Sequence, residues 1–180
     1  IRRYLIENDW LDAIVQLPNN AFYNTSIATY IWIVVKNKPA THQGKVQLID
    51  ASACCSARRK NIGSKNVDIT KACRDLIIEA YGAYADGTYN GVDENENAIV
   101  VKSKVMDSIE LGYNKIVVET PQLDDNGNVV TKNGKPVADA TKRDTENVPL
   151  AEDIDAYFER EVIPYNPQAW IDKAKTKVGY

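Results

Sequence analysis

Ile27-Ala-Thr-Tyr-Ile-Trp-Ile-Val-Val35 is the longest apolar run of the chain, and only Thr29 interrupts it. Its residues are mostly β-branched or aromatic, and apolar side chains occupy both alternating sets of positions. This composition is typical of a central strand that is covered on both faces of a sheet. A shorter apolar strand, from Leu11 to Leu17, precedes it and ends at Pro18.

The residues around these two strands complete an α/β pattern. Ile1, Tyr4 and Leu5 have helical spacing, and Val46 to Ile49 is a further apolar run after a polar turn. We therefore expect residues 1–55 to be the last helix and strands of an α/β sheet. The sheet is expected to be incomplete, because so few strands cannot cover those apolar faces.

Residues 56–120 are expected to contain a basic loop, a helix and a strand. The loop, from Ser56 to Asn66, is rich in Lys and Arg, and Asp68 is a favourable N-cap for the helix behind it. Apolar residues recur at the three-four spacing of one helix face from Ile69 to Tyr84. Asp86 to Asn97 is acidic and predicts an exposed loop.

The remaining residues predict a small α+β tail. A strand from Ile116 to Glu119 leads into residues 121–149, a polar excursion containing Asn126-Gly127 and Asn133-Gly134, which favour tight hairpin turns. The last segment, residues 150–180, begins with an amphipathic helix that extends to Val162.

Composition limits the class of protein. A hydrophobic content of 44% and a charged content of 26% are those of a globular chain, and no apolar run reaches the ~18 residues of a membrane span. Cys54, Cys55 and Cys73 form neither a disulfide framework nor a zinc pattern, which favours a reducing cytoplasm. Residues 1–72 carry a net charge of +5 and residues 73–180 a net charge of −8, a weak indication that one face meets phosphate.

Several catalytic motifs are absent from the sequence. There is no glycine-rich nucleotide loop, and the single histidine, His42, lies in a polar turn where we expect it to be exposed and without a role. No carboxylates form a pair that suggests acid–base chemistry. The residues alone therefore indicate an incomplete α/β domain with an α+β tail.

Three blocks of sequence, in order, resemble the modification subunits of type I DNA restriction-modification enzymes. The first includes Phe22-Tyr-Asn-Thr-Ser-Ile27, the second Gly112-Tyr-Asn-Lys-Ile-Val-Val-Glu119, and the third Tyr157-Phe-Glu-Arg-Glu-Val-Ile-Pro164. The blocks extend over residues 1–38, 103–119 and 143–180, roughly half of the chain. The resemblance implies the C-terminal part of a Rossmann-like, S-adenosylmethionine-dependent methyltransferase sheet, followed by the small α+β tail.

The resemblance also implies an activity, namely methylation of the exocyclic amino group of adenine in DNA. The target base must leave the duplex and stack on aromatic side chains. In the family, an Asn-Pro-Pro-aromatic motif and a glycine-rich cofactor loop perform the chemistry. Neither motif is present here, so both are expected upstream of Ile1, in a parent protein of which this chain is an inactive fragment.

The resemblance places substrate-base contacts in the loop after the first strand. Phe22 is the first candidate to lie beside the extruded base and Tyr23 the second, although Phe22 could equally plug the end of the sheet. Asn24 and Thr25 could orient the base edge or merely cap the following strand. Arg58, Arg59, Lys60 and Lys65 could contact DNA phosphate or form a solvated loop.

The expected partners are DNA, the specificity and restriction subunits, and a second modification subunit, with no membrane. One alternative is a non-catalytic assembly module that contacts the specificity or restriction subunit, for example through the helix from Ile154 to Val162. Another alternative is a restriction enzyme of a different type, in which methylation and cleavage are fused.

Overall fold

The structure, a computed structural model, describes all 180 residues. The chain forms two compact units, Ile1–Ser108 and Ile109–Tyr180. The finer division expected from the sequence, into segments that end at residues 55, 120 and 149, stays a prediction. The helices of the chain are short, and none is long and apolar enough to span a membrane.

The first unit contains two helices and seven strands. They are α1 (Arg2–Glu7), β1 (Leu11–Gln16), β2 (Tyr30–Val34), β3 (Lys45–Asp50), β4 (Ser56–Ile62), β5 (Lys65–Asp68), α2 (Lys71–Ala83), β6 (Gly87–Val92) and β7 (Ala98–Asp107). Five strands form one sheet in the order β2-β1-β3-β7-β6, and β4 and β5 form a separate hairpin. The expected α/β class is confirmed, since β1 and β3 are parallel while the other neighbours are antiparallel.

Helix α2 covers one face of this sheet. The hydrophobic core between them is made of Val15, Leu17, Ile49, Ala51, Cys54, Cys73, Leu76, Ala80, Ile99 and Val101. These residues come from β1, β3, β7, α2 and the turns that follow β1 and β3. Because β1 and β3 are parallel, their carboxyl ends lie at the same end of the sheet. The loop after β1 begins there, and so does the segment that leads from β3 to the β4–β5 hairpin.

The expected position of the longest apolar strand is wrong. Strand β2 lies at the edge of the sheet, paired only with β1, and it is largely exposed. Its exposed apolar side chains are Tyr30, Ile31, Trp32 and Val34. The apolar composition of a strand is compatible with burial on both faces. Burial also requires other helices or strands to pack on those faces, and the composition of the strand does not determine whether they are present.

Three local expectations also need correction. The basic segment is a two-stranded hairpin, β4–β5, because Gly63-Ser64 forms a tight turn between paired Ile62 and Lys65. Asp68 belongs to β5, and the N-cap of α2 is Thr70, whose hydroxyl accepts a hydrogen bond from the Cys73 amide at 3.4 Å. The acidic segment after α2 contains β6, whose backbone pairs with the sheet.

The second unit is built around strand β8 (Tyr113–Glu119). Its other elements are a 3₁₀ helix (Ser108–Leu111, beginning at the boundary), β9 (Thr131–Lys132), β10 (Lys135–Pro136), β11 (Asp144–Pro149), α3 (Ile154–Glu161), β12 (Trp170–Ile171), a 3₁₀ turn (Lys173–Lys175) and β13 (Lys177–Gly179). Strands β11, β12 and β13 all pair with β8, and α3 packs on the sheet through Phe158. The predicted Asn133-Gly134 turn is confirmed, with both residues at positive φ between β9 and β10.

Candidate functional site

The loop after β1 presents two aromatic rings to solvent. Phe22 and Tyr23 are 47% and 64% exposed. Phe22 pairs with Thr25 across a tight turn, in which the Thr25 amide donates to the Phe22 carbonyl at 3.3 Å. Asn24 has a φ of +52°, a left-handed conformation that closes the turn. Ligands of open α/β sheets bind at the carboxyl ends of the strands, which is where this loop lies.

The polar side chains of this loop have contacts within the protein. The Thr25 hydroxyl donates to the Tyr23 carbonyl at 3.3 Å, which stabilises the turn itself. The Asn24 side chain lies against the backbone of Gly63 in the β4–β5 hairpin. Both residues therefore shape the loop.

An apolar groove of about 450 Å³ lies beside Phe22. Its walls come from the loop after β1, strand β2 and helix α2 with Ile69 before it. Its lining residues are Leu17, Phe22, Ile31, Ile69, Arg74, Ile77 and Ile78. A flat aromatic ring system fits such a groove, because its faces are apolar and Phe22 offers a ring on which to stack.

The four basic residues expected to contact phosphate separate into two pairs. Arg58 Nη1 lies 2.6 Å from Asp68 Oδ1, and Lys65 Nζ lies 3.0 Å from the same oxygen. Hydrogen bonds from Arg58 and then Lys65 hold the pKa of Asp68 below its ordinary value. Arg59 and Lys60 are exposed and form no ion pair, so their charges face solvent.

One polar cluster was not anticipated from the sequence. Asp12 is 1% exposed, although it lies within an apolar strand, and it accepts a hydrogen bond from the Tyr81 hydroxyl at 2.7 Å. His42 Nδ1 lies 3.0 Å from Asp12, and the His42 ring stacks on Tyr84 with centroids 3.4 Å apart. The expectation that His42 is exposed is wrong, since its side chain is 18% exposed. The only signal in the sequence was a carboxylate inside an apolar strand, which requires partners when buried.

The cluster also raises the pKa values of the two tyrosines around Asp12. Burial, together with the hydrogen bond to Asp12, raises the pKa of Tyr81 to about 12, and burial with the charge of Asp12 raises the pKa of Tyr84 further. Both phenols therefore remain neutral at physiological pH. Asp12, His42 and the two tyrosines tie β1, the polar turn before β3 and helix α2 together.

The cysteines form no reactive centre. Cys54 and Cys73 are buried in the core, and the Cys54 thiol contacts the Cys73 carbonyl at 3.6 Å. Burial raises the pKa of Cys54 to about 12, so the thiol stays protonated. Across the 180 residues, no group of three or more His, Cys, Asp or Glu side chains is placed to hold a metal ion.

The first unit is thus an α/β domain that carries two exposed aromatic rings and an apolar groove at the carboxyl ends of its parallel strands. The family model for N-6 DNA methylases matches residues 1–121, which is most of the chain. The chain belongs to the N-6 DNA methylase family.

Three curated relatives are methylase subunits of type I restriction enzymes. The MjaIX subunit of Methanocaldococcus jannaschii is 30% identical over 133 residues, 73% of this chain and 20% of that protein. The MjaVII subunit of the same organism is 37% identical over 48% of this chain and 15% of that protein. The MpnII subunit of Mycoplasma pneumoniae is 36% identical over 41% of this chain and 13% of that protein.

The chain therefore spans about a fifth or less of the length of these relatives. A solved structure, the methyltransferase subunit of a type I restriction-modification system from Streptococcus thermophilus, aligns with 62% of this chain and 19% of that chain. The identity is 27% and the TM-score 0.46.

Proposed function

We propose that this chain contributes the base-side part of an adenine-specific DNA methyltransferase, the modification subunit of a type I restriction-modification system. The whole enzyme transfers a methyl group from S-adenosylmethionine to the exocyclic amino group of an extruded adenine. The observation that carries the proposal is the exposed Phe22–Tyr23 pair at the ligand edge of a chain that belongs to the N-6 DNA methylase family.

The aromatic pair has a definite task in this reaction. A base in the duplex is covered by its neighbours, so the enzyme must extrude it and compensate for the lost stacking. Stacking on an aromatic side chain contributes about 1–3 kcal/mol per base. Phe22, at the edge of the apolar groove, is proposed to stack on the adenine, with Tyr23 beside it, while Asn24 and Thr25 keep the turn in shape.

The basic residues are proposed to contact the DNA backbone near the extruded base. Arg59 and Lys60 have free charges, whereas Arg58 and Lys65 are paired with Asp68. We therefore assign phosphate contact to Arg59 and Lys60. Each contact would release condensed counterions and make binding depend on salt.

The residues of this chain do not fit the methyl donor. The turns after the parallel strands are Leu17-Pro18-Asn19 and Ala51-Ser52-Ala53, and neither has the glycines that bring a backbone close to a cofactor. We infer that the chain by itself does not bind S-adenosylmethionine. Calorimetric titration of S-adenosylmethionine into the chain tests this, and clear saturable heat would contradict it.

Within the cell, the proposed partners are DNA, the specificity and restriction subunits, and a second modification subunit, all in the cytoplasm. This follows the names of the relatives, which are methylase subunits of type I restriction enzymes. Co-purification of tagged specificity subunit with this chain is the expected result, and its absence at micromolar concentrations would contradict direct contact.

The base-side assignment is tested by DNA binding. The probe is a duplex in which 2-aminopurine, an adenine analogue, stands opposite an abasic site, so that extrusion costs little. Phe22→Ala is expected to weaken binding about 5- to 150-fold, which corresponds to the stacking free energy of about 1–3 kcal/mol. The control is Tyr165→Ala, which removes an aromatic ring that is 87% exposed and lies in the second unit.

Two readings are required for this experiment. Anisotropy measures affinity, and 2-aminopurine fluorescence reports whether the base stacks on a protein ring. Equal affinity and equal quenching for Phe22→Ala and the native chain would refute the assignment. In that case Phe22 only closes the end of the sheet.

A further inference from the structure

The β4–β5 hairpin lies directly against the loop that carries the aromatic pair. This loop, residues 20–25, is called the base-side loop below. The Asn66 amide donates to the Asn20 carbonyl at 3.2 Å, and Lys65 Nζ donates to the Ala21 carbonyl at 2.7 Å. The turn of the hairpin, at Gly63, contacts the side chains of Tyr23 and Asn24. The hairpin thus touches the loop on both sides of Phe22.

Gly63 permits the closest of these contacts. It has a φ of +60° and occupies the first central position of the two-residue turn between Ile62 and Lys65. A Cβ at this position would lie 2.8 Å from the Tyr23 ring and 2.7 Å from Asn24 Oδ1. The backbone of the turn therefore lies close to the Cδ2–Cε2 side of the Tyr23 ring, in space that a side chain at position 63 would occupy.

Lys65 connects the loop to the body of the hairpin. Its side chain is 23% exposed, and its ammonium group is shared between the Ala21 carbonyl and Asp68, which also binds Arg58. Two of its three donors are thus used within the protein. Asp68 compensates the charge of Lys65 within the protein. We therefore assign Lys65 a structural role, which is to hold the base-side loop in its conformation.

We propose that the β4–β5 hairpin is the positioning element of the base-side loop, with Gly63 and Lys65 as its positioning residues. The inference rests on the proposed function of Phe22 and Tyr23 and deepens it. A stacking ring that is already held in place loses less side-chain freedom on binding. The hairpin pre-organises the rings for the extruded base.

The first test measures loop order and does not depend on DNA. Chymotrypsin cleaves after Phe22 or Tyr23 only when the loop opens, and mass spectrometry identifies that cut. Lys65→Met and Gly63→Ala are each expected to raise the rate of this cleavage about tenfold, the effect of losing one hydrogen bond or contact of ordinary strength. An unchanged rate in Lys65→Met would overturn the proposal.

Matched variants separate the contact from backbone strain and charge. Gly134→Ala places the same methyl group at a φ of +75°, but nothing lies within 4 Å of it. Lys132→Met removes an exposed lysine charge in the second unit. Neither control is expected to change cleavage at the base-side loop, and an equal increase in Gly134→Ala would show that the effect of Gly63→Ala is not due to the Tyr23 contact.

The second test distinguishes positioning from phosphate contact. Affinity for the 2-aminopurine duplex is measured between 50 and 200 mM salt, a range over which phosphate contacts weaken strongly. Lys65→Met is expected to lower affinity several-fold with the salt slope unchanged, whereas Lys60→Met lowers the slope by about 1. A reduced slope for Lys65→Met would make Lys65 a phosphate contact and refute its positioning role.

The two tests fail in different ways. If the native chain does not bind the duplex but Lys65→Met loosens the loop, the proposed function fails and the positioning role stands. If binding depends on Phe22 but the loop is cleaved at the same rate in all variants, the proposed function stands and the positioning role is refuted.

Discussion

At the scale of single residues, Asp12 shows how a buried carboxylate connects elements. It lies in β1, where an irregularity in the pairing with β2 falls between Leu11 and Ala13. Asp12 is the residue without a partner in β2 at this irregularity, and its carboxylate contacts the Tyr81 hydroxyl and His42. A buried charge is tolerated only with such partners, because desolvation of a lone carboxylate is very costly.

Replacement of Asp12 by Ala should therefore destabilise the first unit. The change leaves the Tyr81 hydroxyl and His42 without their acceptor, and the expected loss in the free energy of unfolding is about 2–3 kcal/mol. Urea denaturation followed by circular dichroism measures it. Asp75→Ala, at an exposed pair on α2, should cost under about 0.5 kcal/mol. Similar values for the two variants would contradict the assigned role of Asp12.

At the scale of elements, the sequence offers two polar residues that could each be the N-cap of α2. Asp68 and Thr70 are both good N-cap types, but Asp68 is engaged by Arg58 and Lys65 in the hairpin. Thr70 then caps the helix through the Cys73 amide. The pairing of β4 with β5 thus decides where the helix begins.

The Thr70→Ala variant tests this boundary. Loss of the cap should lower the free energy of unfolding of the first unit by about 1 kcal/mol, and Thr70→Ser should retain it because the hydroxyl acceptor remains. Thermal or urea unfolding of both variants provides the measurement. If Thr70→Ser is as destabilised as Thr70→Ala, the hydroxyl is not the cap.

Strand β8 contains a second buried carboxylate, Glu119, which is 3% exposed and lies near Arg143 and Lys175. Burial favours the neutral acid, but hydrogen bonds from Lys175 and Arg143 outweigh it and hold the pKa of Glu119 below its ordinary value. A lowered carboxyl pKa stabilises the fold above the pKa of the unfolded state. That stability is lost as the pH falls through the folded-state pKa.

Acidification should therefore destabilise the second unit through Glu119. Glu119→Gln is expected to be less stable than the native chain at pH 7 and to show a weaker loss of stability between pH 5 and pH 3, where a normal or lowered carboxyl titrates. Urea titrations at several pH values measure this, with Glu79→Gln as an exposed control. A native-like pH profile for Glu119→Gln would contradict the assignment.

At the scale of the whole molecule, the apolar surface of β2 is the most prominent feature of the first unit. One edge of this strand pairs with β1, and the other edge is free. Tyr30, Ile31, Trp32 and Val34 are exposed, and the strand carries no charge. A free, uncharged edge with apolar faces is a site for pairing with another strand.

The 180-residue chain is therefore expected to self-associate at micromolar concentrations. The side chain of Ile31 is 48% exposed, so Ile31→Lys places a charge on the surface of β2. A charge on an edge strand opposes pairing with another strand, so this variant should shift the chain towards monomer. Sedimentation velocity measures the distribution. Leu123→Lys adds the same charge at an exposed site in the second unit and should leave association unchanged. A monomeric native chain would contradict the expectation.

The sequence by itself determined the elements whose signal is local. The apolar runs predicted β1, β3 and β8, the three-four spacing predicted α2 and α3, and Asn133-Gly134 predicted its turn, because each depends on residues that are neighbours in sequence. The resemblance of three blocks pointed to the methylase family, and the family match over residues 1–121 confirmed it.

Only the tertiary structure decided which residues are partners. The edge position of β2, the Asp12–His42–Tyr81 cluster and the contact of Gly63 with Tyr23 join residues that lie far apart in the chain. Arg58 and Lys65 could not be distinguished from Arg59 and Lys60 by sequence, since all four are basic residues of one segment. Pairing of β4 with β5 brought Arg58 to Asp68, which also binds Lys65 of its own strand, and left Arg59 and Lys60 in solvent.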